Sequence, residues 1–235
     1  MIRSKQRHRI VPAHLALIPD GNRRWAKSNR MSIINGYQNG IKKFISFGIW
    51  AKRMGVKTLS VWALSTENIA NRSAGELAIL YALYQKAAND PEIFRILSEN
   101  NARIRIVGDM SKVPQKVRDA LASLERKTAR YKEFTINLMI GYGGREDILY
   151  GARTAERNNA EPDEKSFGSM IRSAEIPDVD MIIRTSGERR LSGFLPWQAS
   201  YSELWFSRKY WPDFERRDLN RAMRSYASRE RRLGK

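Results

Sequence analysis

The chain has 235 residues, 42% of them hydrophobic and six of them tryptophan, so it can bury a substantial core and is not a disordered basic tail. Its formal net charge of +18 calls for solvation, an anionic surface or an anionic ligand. Zero cysteines exclude disulfides and thiolate chemistry, and two histidines, His8 and His14, are too few for a histidine metal centre.

Residues 1–13 are expected to form a flexible basic tail without the apolar segment of a signal peptide. Residues 15–18 read as a short apolar strand ending in Pro19-Asp20-Gly21-Asn22, turn chemistry that leads into a helix start. Residues 36–54 read as a helix closed by Gly55, with Ile41, Phe44, Ile45 and Gly48 on one face. A strand over 58–63 runs into Ser65-Thr66-Glu67-Asn68. Leu77, Leu80, Tyr81, Tyr84 and Ala88 then recur at helical period within 75–97.

Residues 103–107 alternate as a strand, 114–128 form a helix and 134–140 another strand. After Gly141-Tyr142-Gly143-Gly144-Arg145 a helix is expected over 146–157, then a loop over 158–164 and short strands over 181–183 and 204–206. Segment 216–232 is the densest basic block. Leu219, Met223 and Tyr226 lie in it at helical spacing, as in a basic amphipathic helix able to touch an anionic membrane. Strand and helix alternate with no repeat and no linker, so the expected fold is α/β: a single domain over 1–235, with a mostly parallel central sheet covered by helices. No apolar run reaches the roughly 20 residues of a spanning helix, which points to the cytoplasm.

Two segments carry the chemistry. In open parallel sheets, ligands sit beyond the carboxyl ends of the strands, where Asp20, Gly21, Asn22, Arg23 and Arg24 fall. Gly21 lets the backbone approach a ligand, and the amides of the following helix offer an anion site. Asp20 reads equally well as a helix N-cap and as a carboxylate that meets phosphate through a cation, for which Mg²⁺ is suited. Far downstream, residues 183–192 gather Arg184, Arg189 and Arg190 with the hydroxyls of Thr185, Ser186 and Ser192. Guanidinium forks and hydroxyls on a strand–loop unit suit a phosphate ester. Between these segments, Ser65 to Asn68 reads as a capping motif, and Arg72 gains interest only if it lies beside the Asp20 loop.

Four motifs in order, Leu17-Ile18-Pro19-Asp20-Gly21-Asn22-Arg23-Arg24-Trp25, Ser65-Thr66-Glu67-Asn68, Gly141-Tyr142-Gly143-Gly144-Arg145 and Arg184-Thr185-Ser186-Gly187-Glu188 through Trp197-Gln198 to Glu203, resemble the cis-prenyltransferases of the undecaprenyl diphosphate synthase family. The similarity runs from His14 nearly to the end. It implies a homodimeric or heteromeric enzyme with a hydrophobic tunnel that condenses an allylic prenyl diphosphate with isopentenyl diphosphate. A Z double bond is formed and diphosphate is released. Asp20 resembles the Mg²⁺-linked catalytic aspartate and Glu203 a second carboxylate near the metal. Gly21, Asn22, Arg24 and Arg72 look like the allylic diphosphate cradle. Arg184, Arg190 and Ser192 look like the isopentenyl diphosphate cradle. Arg232 and Gly234 match an Arg-x-Gly tail that reaches across the dimer, and Ser65 and Asn68 resemble groups near the reacting carbons. Phe44, Ile45, Trp62, Leu80, Tyr84 and Met139 are tunnel candidates, though residue for residue plain core is the better reading.

The allylic half departs from the family pattern. Arg23 stands where glycine is usual, Ile33 and Tyr37 where arginine and histidine are usual, Ile69 where tryptophan is usual, and Arg189 where histidine is frequent. Arg23 is expected to replace part of the lost charge. An atypical member with an altered acceptor or a non-head-to-tail condensation is the alternative. A non-catalytic partner subunit and a basic RNA-binding protein are weaker readings, since Asp-Gly-Asn and Arg-x-Gly are both present and no nucleic-acid motif is.

Overall fold

Strands that are apolar without interruption need cover on both faces, the condition of a parallel sheet. The computed structural model, which describes residues 11–229, meets it with six strands. They are β1 (His14–Ile18), β2 (Thr58–Ser65), β3 (Ala102–Val107), β4 (Phe134–Tyr142), β5 (Met181–Arg184) and β6 (Glu203–Phe206). Their order is β3-β4-β2-β1-β5-β6, and every neighbouring pair is parallel. The helices are α1 (Asn22–Ser28), α2 (Ile33–Arg53), α3 (Thr66–Asn71), α4 (Ala74–Asn89), α5 (Pro91–Glu99), α6 (Gln115–Thr128), α7 (Gly144–Arg157), α8 (Glu164–Gly168) and α9 (Arg216–Ala227). The expected α/β fold with a central parallel sheet is the one observed.

The two-residue period of β1 divides its side chains between two cores. Leu15 and Leu17 join Leu59, Ile136, Phe47 and Phe214 on the face covered by α2 and α9. Ala16 and Ile18 join Met139, Ile182, Phe194 and Leu195 on the other. A polar pin crosses the central strands. The Nδ1 of His14 lies 2.9 Å from the Pro177 carbonyl and so must donate, which leaves Nε2 to accept from the Ser60 hydroxyl at 2.8 Å. Asn137 donates to the same hydroxyl at 2.9 Å.

Several boundaries differ from expectation for local reasons. Helix α2 starts three residues early because Ser32 caps it, accepting the Asn35 N–H at 3.2 Å. The helix expected over 75–97 is two: Asp90 ends α4 and caps α5, with Pro91 in its first turn. Residues 11–13 are no tail, since the Ala13 carbonyl accepts the N–H groups of Lys57 and Thr58 and Val11 packs on the core. In α9 the apolar face of Leu219, Ala222, Met223 and Tyr226 is buried in the fold, which leaves only its basic face for any anionic surface. Among the described residues no helix is long and apolar enough to cross a membrane.

Under α2 the helices do not close onto the sheet. A cavity of about 500 Å³ runs between α2, α4 and the even-numbered residues of β4, namely Phe134, Ile136, Leu138 and Ile140. Five of the six tunnel candidates line it. Met139 does not, because its odd position turns it to the opposite face.

Candidate active site

Strands β1 and β5 pair with Ile18 opposite Arg184. The chain leaves β1 toward the face covered by α2 and leaves β5 toward the face where Phe194 and Leu195 pack. Diverging exits open a crevice at the carboxyl ends of these strands. Asp20 and Arg184, 164 residues apart, meet across it, with Arg184 Nη2 donating to Asp20 Oδ2 at 3.0 Å. Arg24 Nη2 donates to the other oxygen at 3.3 Å. Arg184 also donates through Nη1 to the Arg190 carbonyl at 2.5 Å and the Ser192 hydroxyl at 2.9 Å. The Asp20 backbone is fixed as well: its carbonyl accepts the Thr185 hydroxyl at 2.7 Å and the Trp211 N–H at 3.0 Å.

The N-cap reading of Asp20 does not hold. Helix α1 is capped by Gly21, whose φ of +102° is left-handed, and no side chain caps its first turn. A Cβ on Gly21 would lie 2.8 Å from the Ser186 hydroxyl and from the Tyr210 ring, so the close approach requires glycine. The loop behind Arg184 is strained, with Ser186 at φ +78°, Ser192 at +55° and Leu195 at +46°. Such conformations cost roughly 1 kcal/mol or more each and persist where surroundings impose them. Here the Ser186 and Gly187 N–H groups donate to the carbonyls of Lys209 and Ser207 at 2.7 and 2.8 Å.

A second cluster faces the first across the mouth of the cavity. Glu76 is 8% exposed and lies 3.3 Å from Arg72 and 3.5 Å from Arg23. The Tyr37 hydroxyl donates to Glu76 and accepts from Arg72 Nη1 at 2.9 Å. Burial, then the bond to Glu76, raises the Tyr37 pKa, so the phenol keeps its proton. Arg72 is therefore no loose surface charge. Ser65 caps α3 by accepting the Asn68 N–H at 3.0 Å, as its capping reading has it, and both residues also line the cavity.

Sequence reasoning did not select Glu76. Ser73-x-x-Glu76 looks like a capping box, and Ser73 does accept the Glu76 N–H at 3.2 Å, but the carboxylate turns away toward the guanidiniums. Tyr37 was noted only as a departure from the family pattern.

Other candidates are spread more widely. Glu188 bridges Arg24 at 3.1 Å and Arg190 at 2.5 Å, and these hydrogen bonds, that from Arg190 first, hold its carboxyl below the usual range. Glu203 opens β6 beside Met181, three residues before the rung of Arg184 and Phe206. That is roughly 10 Å back along the strand. It is paired there with Arg229 at 2.6 Å, so this chain does not bring it to Asp20. Arg232 and Gly234 lie outside the described residues.

The crevice offers donors to an anion. Arg184 Nε and the Ser186 hydroxyl are buried without a partner among the described residues, while the equally unpaired Asn22 Oδ1 can only accept. Among the described residues no three carboxylate, imidazole or thiol groups converge as a ready metal cage. A single carboxylate beside phosphate-binding donors nonetheless suits Mg²⁺, which takes one or two carboxylates and completes its shell with phosphate oxygens and water.

The family model for undecaprenyl diphosphate synthase matches residues 18–234. A tritrans,polycis-undecaprenyl-diphosphate synthase (geranylgeranyl-diphosphate specific) of Sulfurisphaera tokodaii is 38% identical over 231 residues, 95% of this chain and 88% of that protein. An isoprenyl transferase of Thermus thermophilus is 40% identical over 237 residues, 96% of this chain and 89% of its own. Among solved structures, lavandulyl diphosphate synthase from Lavandula x intermedia, in complex with dimethylallyl diphosphate, superposes with a TM-score of 0.89 at 33% identity, covering 96% of this chain and 99% of that one.

Proposed function

The chain belongs to the undecaprenyl diphosphate synthase family of cis-prenyltransferases, and from that premise we propose a Mg²⁺-dependent condensation of an allylic prenyl diphosphate with isopentenyl diphosphate at the crevice between β1 and β5. The observation that carries this reading is the meeting of Asp20 and Arg184 at the mouth of an apolar cavity of about 500 Å³.

The allylic C1–O bond breaks and its electrons leave with diphosphate. The double bond of isopentenyl diphosphate attacks C1, and loss of a proton restores a double bond in Z geometry. Negative charge gathers on the leaving group, so cations held in place beforehand lower the barrier. Arg24, Arg72 and Arg23 supply them on the allylic side, held by Asp20, Glu76 and Glu188 rather than free to swing. Arg184, Arg190 and Ser192 hold the second diphosphate, and Asn68 and Ser65 flank the reacting carbons. Asp20 would hold Mg²⁺, which when bound would supply further charge neutralisation. A second copy of the chain would bring Glu203 to the site, since a carboxylate at the opposite strand end cannot serve Asp20 in its own subunit, and the family resemblance alone assigns the same crossing to Arg232 and Gly234.

Purified protein with Mg²⁺, labelled isopentenyl diphosphate and dimethylallyl, farnesyl or geranylgeranyl diphosphate tests the reading through the mass and stereochemistry of the products. Asp20→Asn keeps the size of the side chain but removes the charge and, because an amide nitrogen cannot accept, keeps at most one of the hydrogen bonds from Arg24 and Arg184. Turnover should fall by about 10²–10³-fold with the thermal midpoint unchanged. Undiminished turnover would remove Asp20 from the mechanism. Product formed from dimethylallyl diphosphate alone would replace isopentenyl diphosphate as the acceptor.

A further inference from the structure

The apolar wall that α2 presents to the cavity ends on a charge. Ile41, Phe44, Ile45, Gly48 and Ile49 line it at helical spacing, and the next position of that stripe is Lys52. The Lys52 ammonium donates to the Asn100 carbonyl and lies 3.1 Å from the Glu133 carboxylate. Asn100 is the C-cap of α5, two residues before β3, and Glu133 directly precedes β4. The clamp therefore sits where strands begin, at the rim opposite Asp20. From Gly40, packed against Asn22 at the mouth, to Lys52 the helix rises about 18 Å.

We infer that Lys52, held by Asn100 and Glu133, is the floor of the tunnel and sets the length of the prenyl chain released. This rests on the prenyl-transfer reading and goes beyond it by naming the residue that measures the product. Each five-carbon addition pushes the apolar tail further from the mouth, and every carbon removed from water favours the step. The gain ends at the ammonium. Growth past it requires either taking Lys52 from both partners or burying hydrocarbon against an unpaired charge, and both are unfavourable. The stem of Lys52 lies along the apolar wall while its head, beside the 61%-exposed Glu133, stays in reach of water. A lysine at this position thus closes the passage without being desolvated itself.

The test is the product-length distribution of purified protein with Mg²⁺, labelled isopentenyl diphosphate and an allylic primer. Lys52→Met keeps the stem and removes the charge. The longest product should grow by at least one five-carbon unit while the rate of the first condensation stays unchanged. Glu133→Gln loosens the clamp from the solvent side and should move the distribution in the same direction. An unchanged distribution in Lys52→Met that still turns over overturns the inference, whatever Lys52→Ala does. Should Lys52→Met fail to fold, an unchanged distribution in Glu133→Gln overturns it instead. If the unsubstituted chain forms no product, the prenyl-transfer reading fails and the inference with it, so the two failures are distinct.

Discussion

Glu76 holds one phenol and two guanidiniums, and its removal would free all three at once. Replacing it with glutamine keeps the volume but drops the charge that aims Arg72 and Arg23. The KM for the allylic diphosphate should rise about tenfold, equivalent to ~1.4 kcal/mol, with the KM for isopentenyl diphosphate little changed. Separate titration of each substrate checks this, and equal rises in both would indicate a general loss of structure. Tyr37→Phe should act in the same direction and less strongly, since Arg72 keeps its contact with Glu76.

His14 makes a prediction of another kind. Burial lowers its pKa below the ordinary 6.5, so the unfolded chain takes up the proton first as pH falls. Stability is therefore full above about pH 6.5 and declines below it, through the window between the two values. Thermal midpoints measured from about pH 7.5 down to 5.5 should fall, and the slope should flatten in His14→Gln. Asp20 and Arg184 could be picked out in the sequence because their residue types announce phosphate chemistry. Glu76 could not, because a carboxylate three residues after serine has a commoner use.

At the scale of elements, the α1–α2 packing rests on Gly36 and Gly40, both set against Asn22, which a pattern reading treats as neutral. A Cβ on Gly40 would lie 2.3 Å from Asn22 Oδ1, whereas a Cβ on Gly48, two turns further along the same face, meets nothing within 4 Å. Gly40→Ala should destabilise by about 1–3 kcal/mol through overpacking and weaken substrate binding as Asn22 moves. Gly48→Ala should stabilise by up to about 1 kcal/mol through helix propensity alone. Thermal unfolding of the pair separates the two effects. Strand and helix alternation was legible because its periods differ, 2 against 3.6. The break at Asp90-Pro91 was written in the chain but outvoted by an apolar period that runs on through it. Helix α3 was hidden because its six residues carry no buried side chain and hence no period.

For the whole molecule, the parallel order places all the strand ends that matter on one rim. Five guanidiniums, those of Arg23, Arg24, Arg72, Arg184 and Arg190, face three carboxylates there, Asp20, Glu76 and Glu188. The net positive field draws anionic substrates to the mouth, which gives part of the +18 charge a local use. What no composition could reveal is that the α2 face is hollow. A tunnel wall and a packed core use the same residues, and only the spacing between helix and sheet tells them apart. In the sequence the tunnel was legible only through the family resemblance, which named five residues that do line it.

Because the phosphate-holding loops and the lysine clamp occupy opposite ends of the strands, separated by several turns of α2, changes at either end should add rather than interfere. Relatives built on this frame can then diverge in what they release while inheriting the bond-forming apparatus intact, and an engineer could graft a new stopping point without retuning the chemistry.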